Sequence, residues 1–367
     1  MHLVNYVEFL FAFLTLIRNF ASQMVKLHLF NPEHDIALAS NLAHFTAPHA
    51  GRQLRADLGY LPALWAGADD YILVDHAESA RRSYERLRKR LGRPVPTFVD
   101  RNELPQLSFQ QVEPWGWDAP VATDLRRWGV DEAVLPTDTL IAHYRELSHR
   151  RTSAQILPLL RLPGTVGEAV ECTTFEQVVD CQQRWDKIVV KAPWSSSGRG
   201  VRFAVQEGWV RNIIKHQGSV MVEPMYNKVK DFGMEFEVDA NGQVHYLGLS
   251  LFHTKNGAYI GNILATEQTK RELMARYISL DLLDAIKQSI IENIQLADYQ
   301  GPFGIDMMIV KGERETLLHP CVELNLRRTM GHVALSLTPE DDDILKVMRI
   351  ELTDHYKLHV TKLRTRA

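Results

Sequence analysis

A lysine followed by a loop of small residues offers the first chemistry in this sequence. Lys191 ends the run Ile188 to Val190, whose β-branched residues are typical of a short buried strand. Small residues in the loop let backbone N–H groups approach a ligand closely, and phosphate is the anion that best suits a neighbouring lysine. The alternative is a hairpin turn with a surface lysine, and the loop alone leaves both open. Its small residues are Ser195, Ser196, Ser197, Gly198 and Gly200.

This pattern differs from two common phosphate-binding motifs. A Walker P-loop has its lysine at the end of the loop and at the start of a helix, whereas Lys191 precedes the loop. A Rossmann fingerprint requires a third glycine and a helix after Gly200, but Val201 to Val205 resumes a strand-like run. The order of strand, lysine, loop and strand therefore predicts a flap that covers a nucleotide.

A second set of polar residues lies on two predicted strands, Gly304–Val310 and Leu317–Leu324. Glu323 and Asn325 are two residues apart, so both side chains point to the same face, and Asp306 on the preceding strand can face them. Two carboxylates and an amide oxygen suit Mg²⁺ that bridges nucleotide phosphates. The alternative is a strand face exposed to solvent. Apolar residues alternate with this polar row, which makes that alternative less favourable.

Composition limits the class of protein that carries these residues. The chain has 367 residues, with 45% hydrophobic and 24% charged residues, which is typical of a globular protein with two or three domains. A net charge of −3 gives no broad basic field, so we expect no nucleic-acid partner. The three cysteines lack metal-binding spacing, which indicates reduced thiols and a cytoplasmic protein. Strands and helices alternate over residues 25–130, which predicts a small α/β domain.

The first 23 residues form an apolar segment with no clear partner. Leu3 to Ile17 is shorter than the ~20 residues that a membrane span needs, and it lacks the features of a signal peptide. Met24 stands just before the first predicted strand, so one hypothesis makes residues 1–23 an upstream extension. An amphipathic helix on a membrane surface is the less favoured alternative because its polar face lacks cations.

Taken in order, these motifs resemble the ATP-grasp superfamily, which includes D-alanine–D-alanine ligase and biotin carboxylase. The resemblance covers roughly residues 140–335 and rests on the lysine and its Ser/Gly loop, a Val-Glu-Pro segment at 222–224, an acidic strand, Gly-Ile-Asp at 304–306 and Glu-Leu-Asn at 323–325. It implies an α/β fold, an ATP-grasp fold with an α+β lid and a preceding small α/β domain. The expected divisions are an extension at 1–23, an N-terminal domain at 24–135, a lid at 136–222, a metal and nucleotide subdomain at 223–350 and a tail at 351–367.

The resemblance implies roles for the residues on the nucleotide side. Lys191 corresponds to the lid lysine that contacts ATP phosphates, and the loop from Ser195 to Gly200 corresponds to the flap that covers them. Arg150 falls where the family has a second phosphate-binding lysine, with Arg151 as the fallback. The hinge that meets adenine corresponds to Glu223, Pro224 and Met225.

The resemblance also implies a metal site and a ribose site. Asp306, Glu323 and Asn325 match the ligands of Mg²⁺, with Mn²⁺ as the alternative ion. Asp231 and Glu235 compete for the ribose-binding role.

The sequence departs from the family pattern on the substrate side. Many family ligases have an arginine where Gly304 stands, and the loop after Asn325 also differs. Arg327 or Arg328 is expected to supply the missing charge. Strand alternation predicts that Arg327 points into the cleft and that Arg328 points away from it unless the strand has already ended. Arg327 is therefore one candidate catalytic residue. The resemblance implies Lys255, in the loop after Phe252, as the other, with a contact to a phosphate or to the substrate.

The leading functional expectation is an ATP-dependent ligase that activates a small carboxylate as an acylphosphate and joins it to an amine or a thiol. The alternatives are an ATP-grasp kinase for a small molecule and a non-catalytic ATP-binding module. The expected partners are ATP and small substrates, without nucleic acid or membrane, and the sequence leaves open whether the chain forms a homodimer. His34, Asp35 and His76 follow predicted strands, where α/β domains bind ligands. A surface or capping role is narrowly favoured for His76 and stays open for the other two.

Overall fold

The structure is a computed structural model. It describes residues 24–89, 93–195, 200–255, 258–339 and 345–362, with the backbone alone at 253–255 and 258. Within these ranges, no helix is long and apolar enough to cross a membrane.

The N-terminal unit is a parallel sheet of four strands in the order β3-β2-β1-β4. Its strands are short and apolar, and separate hydrophobic clusters cover the two faces, as parallel sheets require. The strands are β1 (Lys26–Leu29), β2 (Tyr71–Leu73), β3 (Thr97–Val99) and β4 (Gln111–Pro114). The helices of this unit are α1 (His34–Ser40), α2 (His49–Leu58), α3 (Ala77–Arg88) and α4 (Ala119–Arg127).

Two helices lead from this unit to the lid. The sequence predicts one helix from Asp138 to about Arg150, but the structure has α5 (Asp138–Leu147) and α6 (Arg150–Ile156). Thr137 caps α5, since its hydroxyl accepts a bond from the N–H of Leu140. His149 caps α6, since its Nδ1 accepts a bond from the N–H of Arg151 at 2.9 Å. The break therefore places Arg150 at the start of a helix.

The lid is an antiparallel sheet in the order β5-β8-β6-β7, with two helices packed against it. Its strands are β5 (Val170–Cys172), β6 (Ile188–Lys191), β7 (Val201–Arg202) and β8 (Val220–Pro224). The helices are α7 (Phe175–Trp185) and α8 (Glu207–Gln217). Of the predicted strand-like run Val201 to Val205, residues 201–202 pair with β6, so this strand is shorter than predicted.

The central sheet has the order β10-β9-β13-β14 and is antiparallel throughout. Phe232, Met234 and Phe236 face the largest hydrophobic cluster, so the alternate residues of the same strand line the opposite face. The strands are β9 (Lys228–Val238), β10 (Val244–Ser250), β13 (Gly301–Lys311) and β14 (Thr316–Asn325). The two helices predicted within residues 266–296 are α9 (Glu267–Met274) and α10 (Leu280–Asn293).

A fourth sheet joins the carboxyl-terminal part of the chain to the N-terminal unit. It has the order β11-β12-β15-β16, with strands β11 (Phe252–Lys255), β12 (Ala258–Leu264), β15 (Lys346–Leu352) and β16 (Tyr356–Lys362). The Tyr356 N–H donates to Asp57 Oδ2 of α2 at 2.8 Å. Residues 351–362, expected to be a tail, are thus part of a hairpin. One short helix, α11 (Met330–Ser336), packs between β10 and β12.

Candidate active site

Arg150 connects the base of the flap to the central sheet. Its Nη1 donates to the carbonyl of Ala192 at 2.5 Å and to the Ser195 hydroxyl at 2.7 Å, while Nη2 donates to Glu323 Oε1 at 2.7 Å. The two ends of the flap are in contact, because the Ala192 N–H donates to the carbonyl of Gly200 at 2.7 Å. The start of α6 thus places a buried cation between the flap and β14.

Arg151, the alternative to Arg150 as a phosphate-binding residue, takes no part in these contacts. Its guanidinium is 3.4 Å from Glu171 on the outer strand of the lid, and its side chain is 39% exposed. The geometry therefore brings Arg150, and not Arg151, to the site.

Lys191 and Glu223 form a buried ion pair inside the lid. Lys191 Nζ lies 2.7 Å from Glu223 Oε1, because β6 and β8 are antiparallel neighbours. Pro224 ends β8, and Met225 beyond it is 47% exposed. Lys191, the predicted lid lysine, and Glu223, the predicted acid of the hinge, are therefore in direct contact.

The three predicted metal ligands come together on the face of the central sheet opposite the largest hydrophobic cluster, here called the functional face. In the β13–β14 register Asp306 pairs with Glu323, and Gly304 pairs with Asn325. The Asn325 amide donates to Asp306 Oδ2 at 3.3 Å. Burial, together with the neighbouring charge of Glu323, raises the pKa of Asp306 to about 7. The predicted common face of these residues is confirmed.

These three residues fit a hard divalent cation by the chemistry of their donors. Their carboxylate and amide oxygens are the ligands that Mg²⁺ prefers, and a cation here would relieve the repulsion that raises the pKa of Asp306. Glu323 is held by Arg150, and Asn325 accepts a bond from Arg327 Nη2 at 2.9 Å. Across the described residues, no cluster of three or more His, Cys, Asp or Glu side chains could hold a metal ion, so a cation here would also need the amide oxygen of Asn325 as a ligand.

The two candidates for the ribose role lie at different places on β9. Asp231 pairs in register with Met308, toward the hinge, and its carboxylate lies 2.6 Å from Lys228 Nζ. Glu235 pairs in register with Gly304, on the far side of Asp306.

Glu235 is 3% exposed and accepts a bond from the Thr329 hydroxyl at 2.8 Å. Burial raises the pKa of Glu235 to about 8. The strand thus places Asp231 toward the hinge and Glu235 away from it.

Arg327 lies beyond β14, which ends at Asn325, and its backbone N–H donates to the Asn325 carbonyl at 2.9 Å, so a turn and not strand alternation brings its side chain to Asn325. It also meets a residue of the N-terminal unit. Its Nε donates to Asp35 Oδ1 at 3.0 Å, and its Nη2 donates to Asp35 Oδ2 at 2.8 Å. The sequence left the role of Asp35 open, and the structure brings it to the site.

Arg328 points the other way, as predicted. Its Nη2 lies 3.2 Å from Glu113 of β4, and its guanidinium lies over the ring of Trp65 at 4.5 Å. Its backbone N–H donates to the carbonyl of Trp115 at 2.8 Å. Arg328 therefore fastens the loop after β14 to the N-terminal unit.

Of the remaining predicted residues, His34 lines a small cavity together with Asp35 and Glu323, and the others add no described contact to the site. Ser196, Ser197 and Gly198 lie outside the described residues, as does the side chain of Lys255 at the end of β11. His34 is buried, and its Nδ1 lies 3.0 Å from Asp118, so it has a local structural partner. His76 is an exposed residue at the start of α3.

Comparison with known proteins places this geometry in a known fold. No family model and no curated protein matches the chain. Among solved structures, a biotin carboxylase–ATP complex from Campylobacter jejuni matches with a TM-score of 0.50 and 11% identity, over 89% of this chain and 76% of that one.

Two further solved structures match less closely. An N5-carboxyaminoimidazole synthetase with ADP from Staphylococcus aureus gives a TM-score of 0.47 and 13% identity, over 89% and 82% of the two chains. An ATP-grasp RimK domain protein from Sphaerobacter thermophilus gives 0.41 and 17%, over 73% and 97%. The predicted fold is thus confirmed: the chain has the ATP-grasp fold, preceded by a small α/β unit.

Proposed function

We propose that this protein is a cytoplasmic ATP-dependent ligase that activates a small carboxylate as an acylphosphate and joins it to an amine, with a thiol as the alternative acceptor. The observation that carries the proposal is the polar row on the functional face of the central sheet. This row runs from Asp231 through Asp306 and Glu323 to Arg327, and Arg150 connects it to the flap.

This row and the neighbouring lid residues support a position for each part of the nucleotide. The Lys191–Glu223 pair and the hinge at Pro224 and Met225 would hold the adenine end, with Lys191 reaching toward the phosphates. Asp231 suits the ribose better than Glu235, because it lies on the hinge side of Asp306. The phosphates then fall between the flap and β14, where Arg150 Nε has no hydrogen-bond partner among the described residues.

Asp306, Glu323 and Asn325 would hold Mg²⁺, which supplies neutralising charge at the transferring phosphoryl group. Arg150 adds fixed positive charge from the lid side, where a preorganised donor needs no reorganisation during the reaction. Arg327 orients the substrate carboxylate and stabilises the acylphosphate. No nucleophile from the protein is required.

The proposed reaction has two steps. A carboxylate oxygen attacks the γ-phosphorus, the bond between that phosphorus and the β–γ bridging oxygen breaks, and ADP leaves. The amine nitrogen then attacks the acyl carbon, the bond from carbon to the phosphate oxygen breaks, and phosphate leaves with its electron pair. The amine proton passes to the released phosphate or to water.

A screen of ADP release with amino acids, small carboxylates and amines tests this function. A ligase releases ADP and free phosphate only with donor and acceptor together. Phosphate retained on an organic product would identify a kinase, and MgATP binding without any turnover would identify a binding module.

Two neighbouring arginines provide matched variants for the substrate assignment. Arg327→Ala should keep MgATP binding and lose substrate-dependent ADP release. Arg328→Ala should reduce ADP release less and lower the melting temperature, because Glu113 and Trp65 lose their partner. Equal effects on ADP release, or loss of MgATP binding in Arg327→Ala, would assign Arg327 to the phosphate site or to the fold.

A further inference from the structure

The ion pair between Asp35 and Arg327 joins the N-terminal unit to the proposed active site. Both side chains are mostly buried, with 17% and 15% exposure. Burial alone would raise the pKa of Asp35, but Arg327 holds it below its usual value. Asp35 lines a cavity together with Glu323, Asn325 and Ser195, so it faces the reaction site and not the outer surface.

The pair uses almost all of the hydrogen-bonding capacity of Arg327. Nε and one N–H of Nη2 donate to Asp35, and the other N–H of Nη2 donates to Asn325 at 2.9 Å. One N–H of Nη1 donates to the carbonyl of Arg328 at 3.1 Å. A guanidinium has five N–H donors, so only one has no acceptor among the described residues. The edge that would bind a substrate carboxylate through two hydrogen bonds is therefore held by Asp35.

A substrate carboxylate that binds this edge must separate the pair. The cavity beside Asp35 measures about 10 Å³, room for about one water molecule. A substrate with a carboxylate alone would satisfy Arg327 and leave the buried Asp35 without the cation that donates hydrogen bonds to it, which is strongly unfavourable. His34 and Arg150 also favour the charged form of Asp35 from a distance, but His34 Nδ1 is bonded to Asp118 and Arg150 to Glu323 and Ser195, so neither donates a hydrogen bond to Asp35 among the described residues.

We propose that the donor substrate is a small zwitterion, an amino acid, whose carboxylate replaces Asp35 on Arg327 while its ammonium group replaces Arg327 on Asp35. Both buried charges then keep a partner, so the pair selects for a substrate that has both groups. This inference rests on the proposed ligase function. It makes Asp35, supplied by the N-terminal unit, a specificity-determining residue.

Binding measurements with a non-hydrolysable nucleotide test the inference without turnover. The full-length protein is saturated with Mg²⁺ and adenylyl imidodiphosphate. It is then titrated with the common amino acids, in L and D forms, and with matched carboxylates that lack the amino group, such as propionate for alanine. Calorimetry and thermal shift give the affinities. Asp35→Asn keeps the size of the side chain and removes its charge, and Asp69→Asn is the control on an exposed acid of the same unit.

At least one amino acid should bind about tenfold or more tightly than its matched carboxylate, the size of effect expected when a charged partner is lost. Asp35→Asn should reduce this preference to about threefold or less while nucleotide binding stays close to wild type, and it should lower the melting temperature because the buried Arg327 loses its anion. The control should keep the preference. Equal binding of amino acids and matched carboxylates, an unchanged preference in Asp35→Asn, or no binding of any zwitterion to the nucleotide complex would each overturn the inference and leave the ligase function standing. Failure of the nucleotide itself to bind would overturn both.

Discussion

Asp306→Asn should stabilise the protein and at the same time remove its response to MgATP. In the absence of nucleotide, Asp306 is a carboxylate held beside Glu323, and its pKa is raised to about 7 from its ordinary value of 3.8. An amide of the same shape avoids the cost of ionisation and still accepts the hydrogen bond from Asn325. A cation bound beside this carboxylate would offset that cost.

The pH dependence follows from the sign of this shift. An acid with a raised folded pKa destabilises the fold wherever it is ionised, so the cost of Asp306 is full above about pH 7 and is lost as the pH falls toward 4. A pKa raised from 3.8 to about 7 corresponds to roughly 4 kcal/mol, and solvent at this partly exposed carboxylate reduces the figure to roughly 1–3 kcal/mol. Asp306→Asn should therefore melt a few degrees above wild type at pH 8 and close to it at pH 4.5.

Thermal melts at both pH values, with and without MgATP, measure both effects. The increase in melting temperature that MgATP causes in wild type at pH 8 should be largely lost in Asp306→Asn. The control is Asp69→Asn, on the surface of the N-terminal unit, which reports the effect of removing an unrelated acid. A variant that is less stable than wild type at pH 8, or that keeps the full MgATP shift, would refute the reasoning.

Two further variants test the lid side of the site. Lys191→Ala should weaken MgATP binding by roughly 10- to 150-fold in calorimetry, since a hydrogen bond to a charged group contributes ~1.5–3 kcal/mol. The control Lys187→Ala, at an exposed position, should leave MgATP affinity unchanged. Equal MgATP affinities of the two variants would show that Lys191 does not belong to the nucleotide site. Arg150→Ala should lower both MgATP affinity and substrate-dependent ADP release, whereas Arg151→Ala, half-exposed beside Glu171, should change neither. A larger effect of Arg151→Ala would reverse the assignment.

The sequence was sufficient to predict the residues whose positions depend on strand alternation. Glu323 and Asn325 share a face because they are two residues apart on β14, and the hairpin with β13 then fixes Asp306 opposite Glu323, whereas Arg327 lies beyond the end of the strand. The position of Lys191 at the end of β6 likewise depends only on local sequence. These positions need only a strand and its neighbour, and both can be read from short patterns.

Contacts between distant parts of the chain could not be predicted in this way. Asp35 and Arg327 are separated by 292 positions, and no local pattern distinguishes Asp35 from an ordinary acid in the first turn of a helix. The break between α5 and α6 was missed for a related reason. His149 caps the second helix while its ring packs against Trp194, a contact that exists only once the lid has folded.

The glycine that departs from the family pattern has a physical reason in the structure. A Cβ at Gly304 would lie 2.5 Å from Oε2 of Glu235 and 2.8 Å from Cγ2 of Thr329, so any side chain there would displace a buried carboxyl group. Asn325, the register partner of Gly304, is two residues before Arg327. A cation excluded from β13 by Glu235 can therefore enter the same region from the end of β14. Because Arg327 enters from there, it also comes within reach of Asp35, and the N-terminal unit thereby gains a direct contact with the site.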